Sequence, residues 1–195
     1  MLLKQVIPQT LNFSETKEQD QFVDTIQACL KNDRRAQKNL YEMYFSKFMA
    51  HCLRYFSCRD KALEVLNHGF LKIFKSLKDF DTSRDFGAWG YRIIQRTALD
   101  YLRKEVRYEL VQMNKNSLKA SASPEVEESI EKEAVLRKLD ILPVSSRTVF
   151  ILYVFEEWKH KEIAEELGIS VGTSRWHLKN AKEILLKNWK EDSHG

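Results

Sequence analysis

Glycine and proline are scarce, six and three in a chain of 195 residues. No run of β-branched residues sits between turn signals, so strands have little to build on. Cysteine is scarce too: three residues, an odd number without framework spacing, which argues against a disulfide scaffold and suits a reducing compartment. No apolar run approaches the roughly twenty residues that a bilayer demands, and no secretory leader pattern is present. These absences lead to the expectation of a cytoplasmic protein with no membrane insertion. A P-loop, a glycine-rich nucleotide turn and a nucleophile elbow are also missing. An enzyme with a bound cofactor is therefore not expected. The formal net charge is only +4, so any affinity for nucleic acid has to come from local patches rather than from the global field.

What the chain does have is 43% hydrophobic and 31% charged residues, a composition that supports folded helical cores. The pattern predicts an all-α protein of two small helical domains joined by a flexible linker, the second containing a helix-turn-helix. We divide it into a polar, aperiodic arm over 1–17, a first domain over 18–109, a linker over 110–126 and a second domain over 127–195. Phe22, Ile26 and Leu30 mark a short first helix, ended at Asn32-Asp33. Leu40, Tyr44, Phe48, Cys52 and Phe56 step by four and form one core stripe, which makes Cys52 a packed residue. A third helix over about 60–77 turns Leu63, Leu66, Phe70, Ile73, Phe74 and Leu77 inward. Ser83 and Asp85 are both candidate caps for a fourth helix running to about Glu109. The linker is rich in Asn, Ser and Lys, and an acidic stretch follows it. Ile130, Val135, Leu139 and Leu142 then share a helix before the break at Pro143, and Val149, Leu152, Tyr153 and Phe155 belong to the next helix.

The most informative stretch runs from His160 to Thr173. Ile163, Ala164 and Leu167 fall on one helical face, Gly168 supplies the left-handed position that ends the helix, and Ser170 offers a cap to the next. That next helix carries Arg175, Lys179, Lys182, Lys187 and Lys190 against a single acid, Glu183. A cationic second helix after a glycine turn suits a DNA-reading helix-turn-helix. The same pattern equally describes an antiparallel helical hairpin with a solvated basic face.

A second basic strip lies in the first domain, where Arg84, Arg92, Arg96, Arg103, Lys104 and Arg107 outnumber Asp85, Asp100 and Glu105. Arg92, Arg96 and Arg103 share a face, while Ile93, Leu99 and Leu102 turn toward the core. Phe86, Trp89 and Tyr91 interleave rings with these charges, the combination that grips phosphates and stacks unpaired bases. Trp89 reads more readily as a core anchor, and Phe86 reads either way. His51, Cys52, Cys58 and His68 lack finger-like spacing and do not suggest a metal. Asp79, Asp81 and Asp85 read as a solvated loop capping a helix rather than as a magnesium site.

Taken together, these motifs carry a resemblance. Phe86-Gly87-Ala88-Trp89, Tyr91-Arg92-Ile93 and the run from Ala98 to Lys104 resemble region two of bacterial RNA polymerase sigma factors of the extracytoplasmic-function type. Leu142-Pro143, Arg147, Val149-Phe150, Leu152-Tyr153 and the run from Lys161 to Thr173 resemble region four, with Leu178, Ala181 and Leu185 continuing its core. The resemblance implies a promoter-specificity subunit whose partners are core RNA polymerase and promoter DNA. Its first domain would dock on the clamp helices of the large subunit and open the −10 element, and its second would read the −35 element as duplex. Polymerase contact would fall on Asp60, Glu64, Asn67 and Phe70; strand opening on Arg84, Phe86, Trp89, Arg92, Arg96, Arg103, Lys104 and Arg107; and duplex reading on Ser170, Thr173, Arg175, Trp176, His177, Lys179, Asn180 and Lys182. An anti-sigma factor is a common partner in that family, although no residue here points to one.

The chain departs from the family at several places. Lys61, Leu63 and His68 thin the usual acids of the clamp motif, Arg96 stands where an Asn is customary, and Ser174 replaces an apolar residue. Trp176, His177 and Asn180 replace small or cationic residues, so an unusual promoter preference is expected. Two other readings remain compatible with the residues: a stand-alone helix-turn-helix regulator of duplex DNA, and a helical adaptor that has lost DNA binding.

Overall fold

The computed structural model describes residues 13–113 and 138–192, and among them every regular element is helical. Four helices make the first domain: α1 (Phe13–Leu30), α2 (Arg34–Tyr55), α3 (Arg59–Ser76) with a 3₁₀ turn at Leu77–Asp79, and α4 (Phe86–Met113). After a helical stretch at 138–140, the second domain holds α5 (Val144–Val154), α6 (His160–Leu167) and α7 (Val171–Asp192). Two boundaries differ from expectation. Residues 13–17, assigned to the arm, already belong to α1, and α4 runs four residues past Glu109 into the expected linker. The rest of the linker and the helix expected around Ile130 and Val135 lie outside the described residues.

Local chemistry sets the helix ends. Asn32 takes a left-handed φ of 62°, and Asp33 then caps α2 by accepting from the backbone N–H groups of Arg35 at 2.7 Å and Ala36 at 3.1 Å. Of the two candidate caps for α4 it is Asp85 that accepts from the Ala88 N–H, while Ser83 is held by Asp81.

In the first core Leu40, Phe48, Cys52 and Phe56 are buried as one stripe of α2 with Tyr44 half-buried, and Leu66, Phe70, Ile73 and Leu77 meet them from α3 and the 3₁₀ turn. On α4 it is Ile94, with Leu99 and Leu102, that fills the core, and Ile93 is only half-buried. Gly90 permits that packing: a Cβ there would lie 2.8 Å from Phe48 Cζ, so any larger residue would push α4 off α2.

The second core gathers Val149 and Leu152 of α5, Ile163, Ala164 and Leu167 of α6, and Leu178 and Ala181 of α7. Tyr153 lies on α5 and Phe155 caps its end, and both remain largely exposed. The two domains are in contact, with α4 lying against α5 and α6 and α2 against α5.

Candidate nucleic-acid interface

The turn between α6 and α7 forms as its residues dictate. Glu162 reaches back to accept from the Lys159 N–H at 2.6 Å, closing one half of a capping box at the start of α6. Gly168 ends the helix at φ 67°, a left-handed conformation that favours glycine. Ser170 Oγ then accepts from the Thr173 N–H at 2.9 Å and opens α7.

From that turn α7 presents Arg175, Trp176, Lys179 and Lys182 to solvent, with Trp176 about half exposed at 47%. Lys179 lies 3.7 Å from Glu183, an exposed pair that competes only weakly with a phosphate. Ser170 is exposed but occupied as the cap, and the Thr173 hydroxyl shares a 2.8 Å bond with it.

His177 corrects the expectation. It is 1% exposed, with its Nδ1 3.1 Å from Ser146 Oγ, and so cannot meet a base edge. Asn180 is half-buried and donates to the same hydroxyl at 3.1 Å. Ser174, His177, Leu178 and Ala181 follow the spacing of the inward stripe, which is the signal that would have placed His177 inside. Burial holds the His177 imidazole below its ordinary pKa, against an opposing pull from Glu109. His160 is lowered in the same direction by burial, then by Arg175 and Lys182, and its Nδ1 lies 2.9 Å from the buried Ser174 hydroxyl.

Helix α4 carries the other positive face. Arg92, Arg96, Lys104 and Arg107 are exposed, and Arg84, just before the helix, is exposed beside Asp81 at 3.2 Å. Phe86 is a second correction. At 2% exposure it is a core residue, ringed by Phe22, Tyr44, Phe80 and Trp89 at centroid distances of 4.8–5.6 Å. Trp89 is half-buried against Phe80 at 5.0 Å and keeps one side open. Arg103 is not free: its Nε donates to the Glu166 carbonyl oxygen at 2.7 Å and a second nitrogen pairs with the Glu166 carboxylate.

Sequence reasoning passed over Tyr108, which is 67% exposed. With Arg103, Lys104, Arg107, Asp100 and Val111 it lines an open groove of about 720 Å³. Its position four residues after Lys104, on the same helical face, was the available clue. Together α4 offers cations and two accessible aromatic residues, Trp89 in its first turn and Tyr108 toward its C-terminal end.

On α3, Asp60, Glu64 and Asn67 are exposed, whereas Phe70 is 2% exposed and packs against Tyr41 and Phe48 at 4.5 and 5.7 Å. Phe70 is thus a core residue, as its spacing on α3 predicts, and the direct polymerase contact that the resemblance implies for it is a third correction. Asn67 accepts from Tyr41 OH at 2.9 Å, and Glu64 pairs with Lys61 at 3.1 Å, which holds its carboxyl below the usual range. His68, a departure from an acidic position, meets the Tyr101 hydroxyl. His51 and Cys52 are buried while Cys58 and His68 are exposed, and among the described residues no group of His, Cys, Asp or Glu is arranged to hold a metal ion.

Comparison with known proteins matches both domains. The family model described as Sigma-70 region 2 matches residues 40–108, and that described as Sigma-70, region 4 matches residues 132–185. The RNA polymerase sigma-H factor of Pseudomonas aeruginosa is 29% identical over 186 residues, 88% of this chain and 94% of its own length. The ECF RNA polymerase sigma factor SigW of Bacillus subtilis is 26% identical over 173 residues, 83% of this chain and 92% of its own. A solved complex of the sigma factor RpoE with the anti-sigma factor NepR from Bartonella quintana covers 78% of this chain and 96% of its own at 19% identity, with a TM-score of 0.45. The two matched regions together span well over half of the sequence, region 2 before region 4, and the chain belongs to the sigma-70 family of RNA polymerase sigma factors, in its extracytoplasmic-function branch.

Proposed function

We infer that this chain is a promoter-specificity subunit that joins core RNA polymerase and directs where transcription begins, leaving the synthesis to the polymerase. The observation that carries the reading is the pairing of two exposed cationic helices, α4 and α7, on separate domains of one chain. Helix α7 suits duplex: Arg175, Lys179 and Lys182 reach phosphates and Trp176 meets a base edge or a thymine methyl group in the major groove of the −35 element. Helix α4 suits an opened strand. Unstacking a base costs a few kcal/mol, and a ring that restacks it beside a cation returns about 1–3 kcal/mol. Trp89 and Tyr108 are the rings, and Arg92, Arg96, Lys104 and Arg107 the cations, for the −10 element. The exposed carboxylates Asp60 and Glu64, with Asn67, form the polymerase-facing patch on α3, whereas Phe70 supports it from beneath.

Reconstitution with core polymerase tests this reading. Promoter-dependent initiation should appear with the chain and vanish without it, and Trp89→Ala should lower open-complex formation while leaving duplex binding by α7 intact. A chain that stably binds duplex DNA yet never comigrates with polymerase or changes initiation would identify a stand-alone regulator instead.

A further inference from the structure

Alongside apolar contacts, the seam between the domains carries charged and hydrogen-bonding groups that interlock in both directions. From the second domain, Glu156 projects out of the turn after α5 into a polar socket of the first. There it accepts from Tyr91 OH at 2.6 Å and Gln95 Nε2 at 3.0 Å, with Arg54 at 3.9 Å and His51 at 4.0 Å. Its side chain is 11% exposed. The turn is built to aim it: Glu157 takes a left-handed φ of 58°, uncommon for a residue other than glycine, and the Glu156 and Trp158 N–H groups donate back to Ile151 and Leu152.

Arg147, 2% exposed, crosses the same seam. It donates to the Arg54 carbonyl at 2.6 Å and the Leu53 carbonyl at 2.9 Å, and it also reaches Ser57 and Asp140. These are the last carbonyls of α2, which its final turn leaves without helical partners. Glu109 of α4 accepts from the Ser145 N–H at 2.7 Å, and Arg103 is taken by Glu166.

We propose that Glu156 in its socket and Arg147 on the end of α2 form a latch that holds the two domains closed, and that the latch must open before one molecule can touch both promoter elements. The second half rests on the function inferred above. Positions thirty-five and ten are separated by about 25 base pairs, or about 85 Å at ~3.4 Å per pair. A closed globule of this size has a radius of gyration of about 15 Å and is about 40 Å across, so a closed chain cannot reach from one element to the other. In addition, the closed form engages Arg103 of the strand-binding helix. The strength of the latch thus sets the fraction of molecules competent for both elements, and the apparent affinity for a two-element promoter is reduced by that fraction.

Small-angle scattering on the full chain, followed by DNA binding, tests the proposal. Glu156→Ala should raise the radius of gyration by about 5 Å or more, with Glu156→Gln intermediate and helical circular dichroism unchanged in both. Gln95→Ala, on the opposite side of the socket, should expand the chain as well. On a promoter fork whose −10 bases are left unpaired, Glu156→Ala should bind about tenfold tighter than wild type, while a −35 duplex alone should bind equally to both. Scattering curves that superimpose on wild type would overturn the latch, and an expanded variant with wild-type affinity for the fork would overturn its role. Failure of the wild-type holoenzyme to initiate at any promoter would strike the promoter-specificity reading and leave the scattering result standing.

Discussion

His51 is neutral although it stands beside a carboxylate. Its Nδ1 is 4.0 Å from Glu156, a distance at which an imidazolium would be expected, yet neither ring nitrogen has a hydrogen-bond partner and the ring lies between Tyr91 at 4.2 Å and Tyr55 at 5.2 Å. Burial prevails, with Arg54 adding to it, and the pKa is pushed down from 6.5 to about 3. The folded value lies below the unfolded one, so as the pH falls through about 6.5 the unfolded chain takes the proton first, and stability present above that pH is lost progressively toward pH 3. Urea unfolding across this range should show the decline, and His51→Leu should flatten it, leaving the part due to His160 and His177, whose values are lowered in the same direction. An unaltered pH slope in His51→Leu would show that the ring contributes nothing to acid sensitivity. The residues misjudged from sequence, Phe70, Phe86 and His177, share one cause. Each took its surface role from the resemblance, although for Phe70 and His177 the helical spacing already pointed inward, and for Phe86, at the first turn of α4, the ring of aromatic neighbours settles its burial.

Element by element, the pattern was legible wherever periodicity is strong. The α2 stripe, the left-handed turn at Gly168 and the Ser170 cap stand where spacing put them, because each follows from local sterics and hydrogen bonding alone. Helix ends were harder, since α1 extends into a polar segment and α4 into an expected linker, where no breaker marks the limit. On α4 Leu99 and Leu102 face inward as read, and Ile94, passed over in favour of the half-buried Ile93, completes that face. At this scale the recognition helix makes a quantitative prediction. Arg175→Ala and Lys179→Ala should each weaken binding to a −35 duplex and reduce the slope of log K against log salt by about 0.9 if each neutralises one phosphate. Measurement by fluorescence anisotropy between 50 and 200 mM salt, roughly the range over which the effect is large, checks this. A slope identical to wild type would mean that α7 does not lie along the backbone of the duplex.

For the molecule as a whole, the two-domain plan was readable and the contact between the domains was not. Glu109, Glu156, Glu166, Arg103 and Arg147 look in the sequence like any solvated charge, because hydrogen bonds and ion pairs across a seam leave no hydrophobic period to detect. Arg147 links the stability of both halves, since its guanidinium serves Asp140 within its own domain and two carbonyls of α2 across the seam. Arg147→Ala leaves those acceptors without a partner and should cost about 3 kcal/mol. It should also split a single thermal transition into two, read by calorimetry, and one unbroken transition in the variant would show that the halves do not melt together through this residue.

Because many of the named groups along that boundary are ones water welcomes, parting the halves returns those charges and hydroxyls to hydration, which offsets part of the cost of separation.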